Sequence, residues 1–169
     1  MSIQGIHHIT LVCSDAQRTV DFYVGVLGLR LVKKTVNFDD PGSYHLYFGN
    51  EVGSPGSAIT FFEWPRAPKG HPGLGGTHHF ALRVQDYTGL LKWKRRLVDL
   101  GLKVDGPLDR HYFKSIYFND PDGTIIEIAT DGPGFSVDED PASLGSTVQL
   151  PPWLEKDRDS ILANLKPVS

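Results

Sequence analysis

Residues 5–12, Gly-Ile-His-His-Ile-Thr-Leu-Val, are closely similar to residues 76–84, Gly-Thr-His-His-Phe-Ala-Leu-Arg-Val. His8 returns as His79 after 71 positions, and Asp15 returns as Asp86 after the same interval. A strand, a connection and the start of a helix therefore recur in step along the chain. The sequence predicts a two-copy internal repeat.

Each copy predicts one strand, one helix and three further strands. Turn residues (Gly, Pro, Asn and Asp) separate the segments, Asp15 is a helix N-cap and Gly28 ends the first helix. The predicted elements are strand 6–13, helix 16–27 and strands 30–38, 44–49 and 57–63, then strand 78–84, helix 87–100 and strands 102–105, 111–119 and 123–130. This plan predicts an α+β fold in which paired βαβββ repeats form a cup-shaped, partly open mixed sheet with helices outside.

The predicted organisation is a single module at residues 1–135 followed by an extension. The module contains a βαβββ unit at 5–64, a linker at 65–76 that is rich in Pro and Gly, and a second βαβββ unit at 77–131. The extension, residues 136–169, belongs to neither copy. A short helix is predicted around residues 154–165.

Side-chain alternation selects one histidine from each His-His pair. Neighbouring residues of a strand point to opposite faces, and each of the two strands has one apolar face and one mixed face. The mixed faces carry His8 and His79, with His7 and His78 as nearby support. Glu127 is the only acidic residue of its predicted strand. Two imidazoles and one carboxylate are a ligand set that suits a reactive divalent metal.

These residues also have plainer interpretations. A strand histidine is more often a hydrogen-bonded structural residue than a ligand, and the recurrence of the pairs in register is what favours ligation. Burying an unpaired carboxylate is costly, which favours a metal beside Glu127. The matching part of the first copy has Phe61 or Phe62 instead of an acid, so one site is expected rather than two. Three histidines outside the register are interpreted as structural: His45, His71 and His111.

Composition excludes several classes of protein. The net charge of −3 and the single short basic run at 92–96 argue against nucleic-acid binding. Cys13 is the only cysteine, and the first residues resemble no secretion signal, so a cytoplasmic protein is expected. No apolar run reaches the roughly 18 residues of a membrane helix.

The repeat, with His8 on its first strand, His79 on its fifth and Glu127 on its eighth, resembles the vicinal oxygen chelate superfamily of glyoxalases, bleomycin resistance proteins and dioxygenases. Within it, the chain is similar to the extradiol ring-cleaving dioxygenases of hydroquinone and catechol. The spacing of Arg110, Tyr117 and Glu127 is specific to that branch. The stretches that carry the resemblance are 5–11, 22–42, 44–50, 109–118 and 127–131.

The resemblance implies an enzyme that inserts dioxygen into a catechol or hydroquinone ring at non-haem Fe(II), with Mn(II) as the alternative metal. It implies a small aromatic diol and dioxygen as partners. The implied metal ligands are His8, His79 and Glu127, and the implied catalytic and supporting residues are Tyr117, His78, His7 and Arg110. Two rivals stay open: a glyoxalase- or epimerase-like lyase or isomerase, and a bleomycin-type binding protein without catalysis.

Members of this branch are usually longer, with further βαβββ units between the first and the last. This chain looks like those outer units joined directly, which leaves a flank exposed. We expect a homodimer to cover it. Whether the three ligands come from one chain or from two is left open at this point.

Overall fold

The computed structural model describes residues 1–168. The first unit consists of β1 (His8–Cys13), α1 (Ala16–Val20) with a π-helical continuation (Asp21–Val26), β2 (Arg30–Val36), β3 (Tyr44–Gly49) and β4 (Ala58–Glu63). The second unit consists of β5 (Phe80–Val84), α2 (Tyr87–Asp99), β6 (Asp105–Asp109), β7 (Lys114–Asn119) and β8 (Ile125–Thr130). The predicted α+β class and the paired βαβββ plan are confirmed.

Each unit folds into its own four-stranded mixed sheet. The strand orders are β1-β4-β3-β2 and β5-β8-β7-β6. β1 pairs parallel with β4 and β5 pairs parallel with β8, whereas the other pairs are antiparallel. Between residues 1 and 168, no strand pairing joins the two sheets. β1 and β5 therefore both lie at open sheet edges.

The alternation predicted for β1 is confirmed. Cys13 is buried and Leu11 is partly buried on one face, whereas His8 and Thr10 are exposed on the other. β5 shows the same pattern, with Leu82 partly buried and its neighbours exposed. Each sheet therefore has one face against the core and one open face, and the open faces carry the predicted ligands.

One predicted strand is misplaced. The sequence suggested a strand at 102–105, whereas β6 occupies Asp105–Asp109. Leu102 packs against the core from the connecting segment, which explains the apolar signal. β6 contains Gly106 and Pro107, residue types that disfavour the interior of a strand. It accommodates them because it lies at the sheet edge and its pairing with β7 is irregular.

Several element boundaries also shift. β7 begins at Lys114 rather than at residue 111, because His111 has φ 69° and cannot continue an extended strand. His7 was predicted to lie within a strand at 6–13, and His78 and His79 within a strand at 78–84, but all three lie just before the observed strands β1 and β5.

The two units share one hydrophobic core and are joined by polar contacts. Tyr23, which is fully buried, packs on Phe48 and Phe61 of its own sheet and donates its hydroxyl to Asp120 of the second unit at 3.1 Å. Burial raises the pKa of the Asp120 carboxyl and of the Tyr23 phenol. Arg96 of α2 donates to two backbone carbonyls in the π-helical segment. These contacts fix how the units are docked.

The C-terminal extension contains short helical turns. Its last turns are a 3₁₀ helix (Glu155–Asp157) and α3 (Arg158–Ala163), so the helix predicted near 154–165 is confirmed in a shorter form. Over the described part of the chain, no helix combines the length and apolarity needed to cross a membrane.

Candidate metal centre

Four predicted site residues meet on the open face of the second sheet. His79 Nε2 lies 2.9 Å from Glu127 Oε2, and the Tyr117 hydroxyl donates to Glu127 Oε1 at 2.7 Å. Arg110 donates from Nε and Nη2 to the Tyr117 oxygen, both at 3.3 Å. The guanidinium carbon also lies 5.3 Å from the centroid of the Tyr117 ring. A continuous network therefore runs from Arg110 to His79.

Strand register brings this network together. Tyr117 of β7 and Glu127 of β8 are direct partners across an antiparallel pair, where facing side chains lie close. On the other side of β8, Glu127 is in register with Ala81. His79 lies two residues before Ala81, just ahead of β5, and its ring faces Glu127. The sheet itself therefore aims the carboxylate between the phenol and the imidazole.

The Glu127 carboxylate is buried, with 3% of the residue exposed. Its two oxygens already have partners in Tyr117 and His79, so burial alone does not require a metal. The chemistry of the donor atoms is the better test. His79 Nε2 and Glu127 Oε2 lie 2.9 Å apart, which is also the usual length of an N–H···O hydrogen bond. Imidazole nitrogen and carboxylate oxygen are donor types that suit a divalent transition metal, so this pair could supply two of its ligands.

Each histidine pair is linked through its Nδ1 atoms. His78 Nδ1 lies 2.8 Å from His79 Nδ1, and His7 Nδ1 lies 3.0 Å from His8 Nδ1. One ring of each pair must donate and the other accept. A hydrogen bond of this kind fixes the tautomer of a metal-ligating histidine. The first histidine of each pair is therefore placed to orient the second.

The third predicted ligand lies elsewhere. His8 is on the first sheet, beside an open groove of about 680 Å³ that is also lined by Val32, Phe38 and Val52. Across residues 1–168, no three His, Cys, Asp or Glu side chains are close enough together to hold a metal ion. The structure thus brings His79 and Glu127 together but does not bring His8 to them.

The first sheet has no acid at the position that corresponds to Glu127. β1 pairs Thr10 with Thr60, and β5 pairs Ala81 with Glu127, where Ala81 is the repeat equivalent of Thr10. Thr60 is therefore the counterpart of Glu127, not Phe61 or Phe62 as the sequence suggested. Thr60 is not acidic either. The counterpart that the sequence suggested, Phe61 or Phe62, was one or two residues too far along the chain.

Thr60 belongs to a neutral polar chain that the sequence did not predict. Its hydroxyl donates to Thr10 at 2.9 Å and lies 3.1 Å from His45 Nε2, while the Tyr47 hydroxyl lies 3.2 Å from His45 Nδ1. Burial lowers the pKa of His45. Alternation along β3 was the available signal, since His45 and Tyr47 lie two positions apart and therefore share a face.

The other two histidines occupy different surroundings. His71 is exposed in the linker. His111 lies next to Arg110 in sequence, and its Nε2 is 3.1 Å from Asp138 of the extension. The Tyr112 hydroxyl donates to the same Asp138 oxygen at 3.2 Å. Asp138 was not selected from the sequence, because nothing in its neighbourhood repeats or alternates.

Comparison with known proteins places this geometry in context. Residues 5–128 match the model of the glyoxalase/bleomycin resistance protein/dioxygenase superfamily. The chain is 46% identical, over 128 residues, to the Bacillus subtilis protein named "Putative ring-cleaving dioxygenase MhqO", covering 73% of this chain and 39% of that one. It is 39% identical, over 137 residues, to the chlorohydroquinone/hydroquinone 1,2-dioxygenase of Sphingobium indicum, covering 77% of this chain and 42% of that one.

A solved structure of a "putative dioxygenase" from Bacillus subtilis is 27% identical and superposes with a TM-score of 0.58. The match covers 98% of this chain and 97% of that one. The chain spans less than half the length of the two relatives above.

Proposed function

Because the chain belongs to the glyoxalase/bleomycin resistance protein/dioxygenase superfamily, we propose that it is a ring-cleaving dioxygenase of catechol or hydroquinone. The observation that carries the proposal is the network Arg110–Tyr117–Glu127–His79 on the second sheet. The named activities of the relatives support an oxidoreductase of this class. A small aromatic diol and dioxygen are the corresponding substrates.

The proposed metal is Fe(II), with Mn(II) as the alternative, and its proposed ligands are His8, His79 and Glu127. When bound, such a metal favours the deprotonated form of a phenol and leaves positions for substrate and dioxygen beside each other. The neutral nitrogen and carboxylate donors suit both ions. The nitrogen donor of His79 and the oxygen donor of Glu127 lie side by side, which supports the assignment of these two ligands.

Tyr117 is the proposed proton donor. Its oxygen accepts two hydrogen bonds from Arg110, so its own proton points towards Glu127. If a metal bound the Glu127 carboxylate, the Tyr117 proton would be available to a substrate oxygen that lies beside the Tyr117 hydroxyl. The Arg110 charge would stabilise the phenolate that remains. Arg110 and Tyr117 thus act as a unit in the proposed reaction.

His78 fits a supporting role better than that of a base. If His79 binds metal through Nε2, its proton lies on Nδ1 and is donated to His78 Nδ1. Neutral His78 then carries its proton on Nε2, and its basic nitrogen is already occupied. The same reasoning applies to His7 beside His8. The substrate proton therefore has to leave by another route, such as solvent.

The proposed enzyme is a homodimer with sites shared between chains. The docking of the two units through Tyr23, Asp120 and Arg96 leaves His8 apart from Glu127 within one chain. β1 and β5 both lie at open sheet edges, so the first sheet of one chain can lie beside the second sheet of its partner. This arrangement would bring His8 to the partner's Glu127.

Exposed apolar residues near His8 support an interface there. Ile6, Phe38 and Val52 are each at least 80% exposed, although apolar side chains of this size are usually covered. Phe38 and Val52 line the groove that also contains His7 and His8. A second copy seated on this surface would bury them and close the groove over the substrate.

The experiment that tests the function uses protein loaded anaerobically with Fe(II). Hydroquinone and catechol are added separately, oxygen uptake is recorded with an electrode, and the absorption spectrum is followed for a ring-opened product. One oxygen molecule consumed per molecule of diol, with a new product band, supports the proposal. Isomerisation of a hemithioacetal without oxygen uptake would instead favour the glyoxalase-like alternative.

A further inference from the structure

The loop that carries Arg110 has an unusual backbone. His111 has φ 69°, which makes it the one residue other than glycine in the left-handed region within residues 1–168. Such a conformation is strained for a residue that has a Cβ atom, and it persists only where the surroundings hold it. Inside the loop, His111 N–H donates to Asp109 at 2.8 Å and Arg110 N–H donates to the Phe113 carbonyl at 2.9 Å.

The C-terminal extension adds a further hold on this loop. Asp138 Oδ2 accepts hydrogen bonds from His111 Nε2 at 3.1 Å and from the Tyr112 hydroxyl at 3.2 Å. The side chains of Asp138 and His111 are only 21% and 23% exposed. Just before the extension, Gly134 N–H donates to the Tyr112 carbonyl at 2.8 Å, and the Phe135 ring lies 5.3 Å from the Tyr112 ring. One carboxylate thus links two consecutive loop residues to the extension.

We propose that Asp138 is a positioning residue: it holds the loop so that the guanidinium of Arg110 stays on the Tyr117 oxygen. Arg110 directly precedes His111 in the loop. Its two hydrogen bonds to the Tyr117 oxygen, both at 3.3 Å, are long. Long bonds from a flexible side chain depend on where its backbone is held, because the chain loses rotamer freedom when it makes them. The extension thereby contributes to the site without touching it.

This inference rests on the proposed function only for its catalytic consequence. The contacts from Asp138 to the loop belong to the folded chain and can be measured without metal or substrate. The consequence for Tyr117 concerns the proposed reaction. Two separate measurements therefore test the two parts.

The first measurement is amide hydrogen exchange of the full-length, metal-free protein, followed by mass spectrometry. In Asp138→Ala, peptides covering 109–113 should exchange several-fold faster than in the wild type, while peptides covering β5 and β8 stay unchanged. The matched control is Asp140→Ala, which removes a carboxylate from the same segment. Asp140 accepts from Ala142 N–H at 2.8 Å, a contact within the extension itself. Unchanged exchange at 109–113, or an equal increase in the control, overturns the proposal.

The second measurement is a double-mutant cycle on the Fe(II)-loaded enzyme. Asp138→Ala should lower kcat about tenfold with metal content and KM unchanged, and in the Arg110→Ala background it should cost less than about twofold more, because both changes then remove the same contact. Asp138→Asn retains an oxygen acceptor for Tyr112 and should recover part of the loss. Multiplicative losses in the double variant overturn the positioning role. If the wild type cleaves no ring, the proposed function fails, and the exchange measurement alone decides whether Asp138 holds the loop.

Discussion

Tyr117 donates its hydroxyl proton to Glu127 Oε1 at 2.7 Å, across the direct strand partnership of β7 and β8. The other oxygen of Glu127 faces His79, and the Tyr117 oxygen faces Arg110. Because Arg110 donates to the Tyr117 oxygen, the Tyr117 proton points to Glu127, which is a predicted metal ligand. A metal bound to the Glu127 carboxylate would compete for the oxygen that now accepts this proton.

Tyr117→Phe should keep metal content and KM while lowering kcat by about 100-fold, the size expected for losing a positioned proton donor. Steady-state oxygen uptake measures it. Tyr44→Phe is the control, because Tyr44 is a half-exposed residue on the first sheet. A Tyr117→Phe rate within about twofold of the wild type would return Tyr117 to a packing role.

Each of the three ligand variants, His8→Ala, His79→Ala and Glu127→Ala, should lose bound metal and nearly all turnover while remaining folded. The reason is that a site with an alanine in place of one ligand is left with two donors. Metal content is measured by mass spectrometry after reconstitution, and folding by circular dichroism. His71→Ala, at an exposed position in the linker, should bind metal normally. Stoichiometric metal in any of the three variants would remove that residue from the ligand set.

Tyr23→Phe should lower the free energy of unfolding at pH 8 by about 1–2 kcal/mol, because removing the buried hydroxyl leaves the Asp120 carboxylate with one hydrogen-bond donor fewer. Urea unfolding with an unchanged m-value would measure it. A loss no greater than that of Tyr44→Phe would mean that this contact does not stabilise the docking of the units.

The same pair predicts a pH dependence. Burial and Asp120 raise the pKa of Tyr23 above its usual value of 10.0, so the folded chain keeps a proton that the unfolded chain releases in alkali. The stabilisation is complete below pH 10.0 and is lost as the pH rises further. At about pH 11 the loss is about 1.4 kcal/mol, so the wild type and Tyr23→Phe should approach equal stability. A difference that stays constant from pH 8 to pH 11 would contradict the assignment.

Light scattering should give a mass twice the 18.7 kDa of one chain, because the proposed site needs two copies. Dilution should cause dissociation and loss of activity together. A fully active protein that stays monomeric would exclude shared sites.

Much of the fold was predictable from local sequence. The recurrence of His8 as His79 and the alternation around them gave the two units, and the turn residues gave most strand boundaries. β6 was misplaced because Gly106 and Pro107 are residue types that rarely occur inside strands, so the local composition did not indicate an edge strand there. In the first copy, counting along the chain suggested Phe61 or Phe62, whereas hydrogen-bonded register gave Thr60.

The arrangement of the candidate site was less predictable. Alternation places His8 and Glu127 on open faces, but it does not say how two sheets are docked. The docking of the two sheets depends on contacts between residues that are far apart in sequence, such as Tyr23 and Asp120, and no periodic pattern predicts such contacts. Asp138 lies in the extension, where the chain neither repeats nor alternates, so its contact with His111 required the three-dimensional structure.

The most direct test of the account mixes two inactive variants, His8→Ala and Glu127→Ala. In a mixed dimer with shared sites, one site carries both substitutions and the other carries neither. Unfolding and refolding the two chains together, then adding Fe(II) and the diol, should restore about a quarter of wild-type oxygen uptake, since half of the dimers are mixed and each has one intact site. No recovery, with refolded wild type fully active, would contradict a site built from His8 of one chain and the partner's Glu127.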